Sequence, residues 1–410
     1  MSSICLYFQV HQPRRIKRFK HFNIGDNQYY FDDASDGNLN NKKLINKVSK
    51  KCYLPTNKVL LSLLQNHPEF KFAFSFSGLV LEQFEEYVPK TLRSFQELVK
   101  TGRVEVLSET YYHSLSFLHS RNEFLSQIKL HDQKIKDLFG ITPKVFRNTE
   151  LIYNNSLARF IEKLGYIGIL AEGADHVLDW RSPNFVYSPY GTKKISLLLK
   201  NYRLSDDIAF RFSDSTWKHH PLTVEKFANW VNAINGNGEV INLFMDYETF
   251  GEHQWAATGI FDFLSLLPGE LLKHPDNDFV TPSEAIKRYK PVAKLNIPQF
   301  ISWADIERDL SAWLSNEMQR DAISQLFKLE KPIHASKNQE LLKAWRSLTT
   351  SDHFYYMCTK WFADGDVHKY FNPYDSPYDA FRYYMNVLAD MKYRLKQHKV
   401  IENSKLKIKN

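Results

Sequence analysis

The segment Val240-Ile-Asn-Leu-Phe-Met-Asp246 is a nearly continuous apolar run that ends in a carboxylate. Apolar runs of this length are typical of strands that are buried on both faces of a parallel sheet. Six earlier segments have the same character, and they are Ser3–His11, Phe70–Phe76, Val104–Glu109, Val145–Glu150, Ile167–Ala171 and Ile195–Lys200. The sequence therefore predicts seven buried strands in its first two thirds.

Segments with helical periodicity separate several of these strands. They are Leu79–Lys100 with an interruption at Pro89, Asn122–Leu138, Asn154–Leu164 and Val224–Ile234. Strands that alternate with helices in this way predict an α/β fold, either a parallel sheet or a barrel with right-handed crossovers.

Polar side chains gather where the predicted strands end. They are His11, Ser75, Ser77, Glu109, Glu150, Glu172 and Asp246. The carboxyl ends of the strands form the active-site face of a barrel, and also of an open doubly wound sheet. No glycine-rich phosphate loop follows the first strand, so we favour a barrel, and we expect the active site at this face.

The pattern changes after about Pro268. The segment Thr281-Pro-Ser-Glu284 reads as a helix-capping box, and from Asp305 to about Arg394 the periodicity is helical throughout. On that pattern Trp313 is a core residue. We predict a catalytic barrel over residues 1–270 and a helical domain over residues 271–410 that contributes to the substrate cleft.

A long polar connection over residues 12–54 separates the first strand from the first clear helix. Long loops at the active-site face of a barrel are often functional, although a simple insertion is an equally good interpretation. The sequence leaves the role of this segment open.

Composition narrows the class of protein. The net charge of +8 is concentrated in two short basic segments, residues 14–20 and 392–410, and the rest of the chain is slightly acidic. This distribution, without a helix-turn-helix, zinc-finger or RNA-binding signature, predicts no nucleic-acid partner. We also expect no membrane partner, because no run is long and apolar enough to span a bilayer.

Cys5, Cys52 and Cys358 are odd in number and widely separated, which argues against a disulfide framework. The first residues lack a basic region followed by a signal-like apolar stretch. Together these observations predict a cytoplasmic protein. The aromatic content of 15 % suits sugar stacking, although packing in the core explains much of it.

Five motifs occur in a fixed order along the chain. They are His11-Gln-Pro13, Gly102-Arg-Val-Glu-Val-Leu-Ser-Glu-Thr-Tyr-Tyr-His113, Phe146-Arg-Asn-Thr-Glu150, Met245-Asp-Tyr-Glu-Thr-Phe-Gly-Glu-His253 and Ser351-Asp-His-Phe-Tyr-Tyr-Met357. This set resembles the signature regions of glycoside hydrolase family 57, in particular its α-amylase branch. The resemblance implies a (β/α)7 barrel, a distorted TIM-like fold, followed by a C-terminal α-helical domain.

The same resemblance implies a retaining enzyme that acts on α-1,4-glucans such as starch, glycogen or maltooligosaccharides. Glu150 matches the nucleophile of the family, and Asp246 matches its general acid/base. Such a pair needs one ionised and one protonated carboxyl group, about 5 Å apart, across the scissile bond. A cation at Arg147, three residues before Glu150, would help to keep the nucleophile ionised.

Further residues are candidates for substrate binding. His11 and His113 match positions that line the subsite beside the cleaved bond, and Asp352 and His353 match the fifth motif. The remaining candidates are Glu109, Glu248, His253, Trp180 and Trp255, of which Glu109, Glu248 and His253 have supporting or core roles as alternatives. For Trp303 we favour packing. No metal ligands or cofactor are predicted.

Other functions stay open at this stage. A metal enzyme is disfavoured because the chain lacks His-Glu-x-x-His and paired histidines beside the strand ends. A non-catalytic glucan-binding protein is disfavoured because both catalytic acids are present. A 4-α-glucanotransferase or branching enzyme would use the same site, and the sequence leaves the choice between water and sugar as acceptor undecided, together with the oligomeric state.

Overall fold

The structure is a computed structural model that describes residues 2–31, 37–360 and 367–409, with side chains described as far as residue 398. The described chain forms two compact units. The first contains residues 2–12, 45–111 and 126–303, and the second contains residues 13–44, 112–125 and those from 304 onward. The first unit therefore extends past residue 270, and the second takes in two earlier segments.

All the described strands lie in the first unit. In chain order they are β1 (Ser2–Val10), β2 (Phe72–Phe76), β3 (Val104–Val106), β4 (Val145–Arg147), β5 (Gly168–Glu172), β6 (Ser188–Pro189), β7 (Ser196–Lys200), β8 (Val240–Asp246), β9 (Asn277–Phe279) and β10 (Lys294–Leu295). The seven strands predicted from the sequence are confirmed as β1–β5, β7 and β8. Strands β3 and β4 end three residues earlier than predicted.

Seven of the described strands close into a barrel of parallel strands. Strand β1 pairs with β2 on one side and β8 on the other, β2 pairs with β3, and β5 pairs with both β4 and β7. A parallel bridge between Ser108 and Phe146 joins the β3 side to β4. The backbone N–H of Asn201 donates to the carbonyl of Asn242 at 2.8 Å and joins β7 to β8. The predicted (β/α)7 barrel is confirmed.

Helices follow the strands as the sequence pattern predicts. Up to residue 288 they are α1 (Asn41–Val48), α2 (Leu54–Asn66), α3 (Gly78–Tyr87), α4 (Pro89–Lys100), α5 (Arg121–Phe139), α6 (Asn155–Lys163), α7 (Asp175–Leu178), α8 (Tyr202–Ala209), α9 (Val224–Asn232), α10 (Ile260–Leu271) and α11 (Pro282–Arg288). The break at Pro89 is confirmed, because proline cannot donate the helical hydrogen bond. The capping box at Thr281 and Glu284 is present.

The connection over residues 12–54 is not wholly irregular, which corrects the sequence interpretation. It contains α1, and a turn of π-helix, Ser49–Tyr53, joins α1 to α2. The polar composition of α1 hides it in the sequence, because the helix has asparagine and lysine at most of its positions.

The helices of the second unit after residue 304 are short apart from the last. They are α12 (Ser311–Leu314), α13 (Glu317–Lys328), α14 (Glu330–Ser336), α15 (Gln339–Ser347), α16 (Ser351–Tyr355), α17 (Val367–Phe371) and α18 (Pro377–Lys409). The predicted helical domain is confirmed, although helix begins at Ser311 and not at Asp305, and residues 361–366 lie outside the described part. Trp313 is buried as predicted.

Candidate active site

Strand alternation decides which side chains face the interior of the barrel. In β1, Ile4, Leu6, Phe8 and Val10 pack in one core cluster, whereas Cys5 and Tyr7 pack in a second. In β8 the first cluster takes Ile241, Leu243 and Met245, and the second takes Val240 and Phe244. Because successive side chains point to opposite faces, the second face continues through Gln9 to His11 and through Phe244 to Asp246.

A hydrogen-bonded polar network occupies this inner face below the strand ends. The hydroxyl groups of Tyr7 and Ser75 both donate to Oε1 of Gln9 at 2.8 Å. The amide of Gln9 donates to both carboxylate oxygens of Glu109 at 3.3 and 3.4 Å, and Arg147 Nη1 lies 3.5 Å from Glu109 Oε2. All five residues are buried. Glu109 thus has internal partners, as its core alternative requires.

Glu150 stands in a short 3₁₀ turn, Thr149–Leu151, directly after β4. Its φ of 57° is left-handed, a conformation that few residues other than glycine adopt and that often marks functional sites. The side chain is partly exposed, and the indole N–H of Trp303 donates to its Oε2 at 2.8 Å. The positive φ is also the reason that β4 ends before residue 150.

Two buried cations lie against the ring of Trp303. The guanidinium carbon of Arg147 is 4.9 Å from the ring centroid, and Nζ of Lys200 is 5.4 Å from it. Lys200, at the end of β7, also pairs with Asp206 at 2.8 Å and with Glu172 at 3.7 Å. Positive charge is therefore concentrated beside the tryptophan that holds Glu150, and the ion pair of Arg147 described above is with Glu109.

Asp246 is the last residue of β8 and is partly exposed. Glu248, two residues later, is buried and accepts hydrogen bonds from the Tyr53 hydroxyl and, at 3.4 Å, from the Gln12 amide. Burial, together with the neighbouring charge of Asp246, raises the pKa of Glu248 to about 8. Glu248 is therefore a neutral carboxyl group at pH 7, beside a second carboxyl group that can ionise.

The loop after Asp246 carries three more predicted site residues with different surroundings. His253 is half-buried, and desolvation lowers its pKa to about 4, so its imidazole is neutral at pH 7. Trp255 is 64 % exposed, and Trp180, in another loop, is 81 % exposed. Their ring faces are open to solvent, as a sugar-stacking role requires.

His11 follows β1, and its Nδ1 lies 2.6 Å from the hydroxyl oxygen of Ser77, at the end of β2. Its side chain is half-buried. The structure therefore fixes the orientation of this imidazole at the same end of the barrel as Glu150 and Asp246.

Three predicted site residues belong to the second unit. His113 is buried with a φ of 49°, and its carbonyl accepts a hydrogen bond from the backbone N–H of Ser351 at 2.9 Å. Asp352 and His353 lie in α16. His353 is buried, with its ring against Tyr384 and its Nε2 3.2 Å from the carbonyl of Ser347, whereas Asp352 is half-buried.

The sequence interpretation missed the roles of Trp303 and Lys200. Lys200 ends a buried strand, so the reasoning that selected Glu150 and Asp246 could have found it. Trp303 carries no such signal, because its contact with Glu150 joins positions 153 residues apart. Within the described part of the first unit, no three histidine, cysteine, aspartate or glutamate side chains converge closely enough to hold a metal ion.

Comparison with known proteins identifies the family. The sequence model of glycosyl hydrolase family 57 matches residues 5–298, well over half of the chain. The chain belongs to glycosyl hydrolase family 57. Family membership makes it a glycosidase, in agreement with the resemblance of the five motifs.

Three relatives of this family 57 chain illustrate its surroundings. A Methanocaldococcus jannaschii protein that is provisionally named an alpha-amylase is 45 % identical over 406 residues, which cover 96 % of this chain and 85 % of that protein. The 4-alpha-glucanotransferase of Thermococcus litoralis is 21 % identical over 61 % of this chain, and the match spans only 38 % of that enzyme. The branching enzyme of Pyrococcus horikoshii superposes with a TM-score of 0.67 at 16 % identity, over 90 % of this chain and 87 % of that one.

Proposed function

We propose that the chain is a retaining glycoside hydrolase of α-1,4-glucans, with Glu150 as nucleophile and Asp246 as general acid/base. The observation that carries this proposal is accessibility. Five acids stand at or just after the carboxyl ends of the barrel strands, and Glu109, Glu172 and Glu248 among them are buried. Glu150 and Asp246 are partly exposed, so a substrate can reach these two.

The surroundings of Glu150 suit a nucleophile. An indole N–H donates to its carboxylate, and two buried cations lie against that indole. Hydrogen bonds and positive charge both favour the ionised form of a carboxyl group. In the first step Glu150 would attack the anomeric carbon, and the carbon–oxygen bond to the leaving sugar would break.

The surroundings of Asp246 suit an acid that later acts as a base. Its strand neighbours Phe244 and Met245 are buried and apolar, and Glu248 adds no negative charge while it is protonated. Asp246 would protonate the leaving glycosidic oxygen. It would then remove a proton from water as that water attacks the glycosyl ester of Glu150 and releases a product of retained configuration.

The first test is Glu150→Gln and Asp246→Asn on soluble starch, with Glu97→Gln as control. Glu97 is an exposed acid on α4, so its change leaves the site untouched. We expect both site variants to lose roughly a thousandfold or more in kcat with unchanged thermal unfolding, because each lacks a reacting group. Full activity in Glu150→Gln would remove Glu150 as nucleophile.

A chemical rescue distinguishes the two roles. Azide added to Glu150→Ala should restore cleavage of an activated α-glucoside and give the β-glycosyl azide, because the anion replaces the missing nucleophile. Azide added to Asp246→Ala should give the α-glycosyl azide, since attack then occurs on the glycosyl enzyme. The reverse pattern of products would exchange the two assignments.

A transferase is the second candidate, and the glucanotransferase and branching-enzyme relatives favour keeping it. The exposed rings of Trp180 and Trp255 could hold an acceptor sugar as well as a substrate. Incubation with maltoheptaose decides between the two activities. Shorter sugars alone support hydrolysis, whereas longer or branched products support transfer, and neither product would contradict both.

A further inference from the structure

The turn that carries Glu150 is held by a strap, which we define as residues 297–303. The backbones of Tyr153 and Ile301 exchange two hydrogen bonds of 2.9 Å, N–H to carbonyl in each direction. The N–H of Asn155 donates to the carbonyl of Ile297 at 2.9 Å. The strap therefore runs antiparallel to the chain that follows Glu150, and it fixes the position of that chain.

Trp303, at the end of the strap, holds Glu150 at two points. Its backbone N–H donates to the Glu150 carbonyl at 3.2 Å, and its indole N–H donates to Oε2 at 2.8 Å. A left-handed glutamate persists only when its surroundings hold it there. One residue thus secures both the unusual backbone and the carboxylate of Glu150.

The cations on the Trp303 ring strengthen this contact. Arg147 and Lys200 are both buried, so solvent screens their charges weakly. A cation over an aromatic face is attracted by the π electrons and polarises them. Linked interactions of this kind reinforce one another in a low-dielectric site, so the indole N–H becomes a better donor to Glu150.

We propose that Trp303 is a positioning residue, whose indole N–H orients the Glu150 carboxylate for attack and favours its ionised form. This inference rests on the proposed role of Glu150 as nucleophile. Trp303 lies five residues beyond the region matched by the family model, so the match itself gives it no role. The ring also separates the nucleophile from Arg147 and Lys200, and it carries their influence to the carboxylate.

The test is Trp303→Phe, which keeps an aromatic ring and removes the N–H. We expect kcat/KM to fall by roughly 10- to 100-fold, the usual effect of a lost hydrogen bond to a charged group. The acidic limb of the pH profile of kcat/KM, which reports ionisation of the nucleophile in the free enzyme, should move up by about one pH unit.

Trp230→Phe is the matched control, because Trp230 is also half-buried and in the same unit but contacts only Trp217 and His219 among the ring pairs described. We expect its pH profile to match that of the wild type. An unshifted acidic limb in folded Trp303→Phe would overturn the proposal, whereas a shift in that variant alone supports it.

Trp303→Gln keeps an N–H at a similar reach and removes the ring. We expect its acidic limb to lie near the wild-type position, and this variant carries the test alone if Trp303→Phe does not fold. A shift as large as a full pH unit in Trp303→Gln would overturn the role of the N–H. Glu150→Gln separates the two proposals, because activity in that variant refutes the nucleophile, whereas its inactivity with an unshifted Trp303→Phe refutes only the role of Trp303.

Discussion

At the scale of single residues, burial divides the acids of the site into different roles. Glu109 and Glu248 are buried and hydrogen-bonded inside the protein, whereas Glu150 and Asp246 are partly exposed. The motifs draw attention to all four, and they cannot distinguish them because the sequence does not contain the exposure of each side chain. The protonation of Glu248 in particular follows from burial beside Asp246.

Replacement of Glu248 by glutamine should change how stability depends on pH. The folded pKa of about 8 is above the ordinary value of 4.5, so the folded state keeps a proton that the unfolded state releases between these values. The free energy of unfolding of the wild type should therefore fall as pH rises through this window, by about 1.4 kcal/mol for each pH unit at most. Glu248→Gln removes this contribution. Denaturant unfolding at pH 5, 7 and 9 checks it, and parallel curves for the two proteins would contradict it.

Gly251 stands in the fourth motif where any side chain would collide with the backbone. Its φ is 110°, and a Cβ atom there would lie 2.1 Å from the carbonyl oxygen of Lys51. Gly251→Ala should cost about 1–3 kcal/mol or more in the free energy of unfolding. Gly236→Ala is the control, because its φ of 86° is also left-handed but no atom lies within 4 Å of its Cβ position. Equal losses in thermal unfolding would contradict the steric explanation.

At the scale of elements, the strands are readable from the sequence and the strap is not. Buried parallel strands leave long apolar runs, so all seven were predicted within a few residues. The strap over residues 297–303 pairs through isolated backbone hydrogen bonds with a turn about 150 residues earlier. Pairing at such a separation leaves no periodic signal, and the same is true of the polar helix α1.

Insertion of proline into the strap should reduce activity through Glu150. Ile301→Pro removes the N–H that donates to the Tyr153 carbonyl, which loosens the turn. We expect a loss of roughly tenfold or more in kcat/KM, because small displacements of reacting groups are costly. Gln299→Pro is the control, since Gln299 is exposed and its N–H makes none of the described hydrogen bonds. Equal activity in the two variants, measured on maltoheptaose, would show that the strap does not support the site.

At the scale of the whole molecule, stability depends on charge pairs as well as on apolar cores. In the second unit, Nε2 of buried His368 lies 2.9 and 3.0 Å from the two carboxylate oxygens of Asp305. Lys360 lies 3.3 Å from the same carboxylate, and the Cys358 thiol lies 3.9 Å from Nε2. Despite the opposing effect of burial, the hydrogen bond and charge of Asp305 help to raise the pKa of His368 to about 9.

Replacement of His368 by glutamine should therefore destabilise the protein most at low pH. Because the folded pKa is above the ordinary value of 6.5, the stabilisation is complete below pH 6.5 and is lost as pH rises through about 9. We expect a loss of about 2–3 kcal/mol at pH 6 that becomes small near pH 10. The exposed His176, changed to glutamine, serves as control in denaturant unfolding. A loss that does not vary with pH would exclude the charged pair as its cause.

The sequence by itself determined the barrel, its seven strands, the helical domain and the family, because each depends on local periodicity or on motifs that are continuous in the chain. It also selected Glu150 and Asp246 as candidates. Only the tertiary structure decided which acids are accessible, that Glu248 keeps its proton and that Trp303 holds Glu150. These properties arise from burial and from contacts between distant segments, and neither is present until the chain has folded.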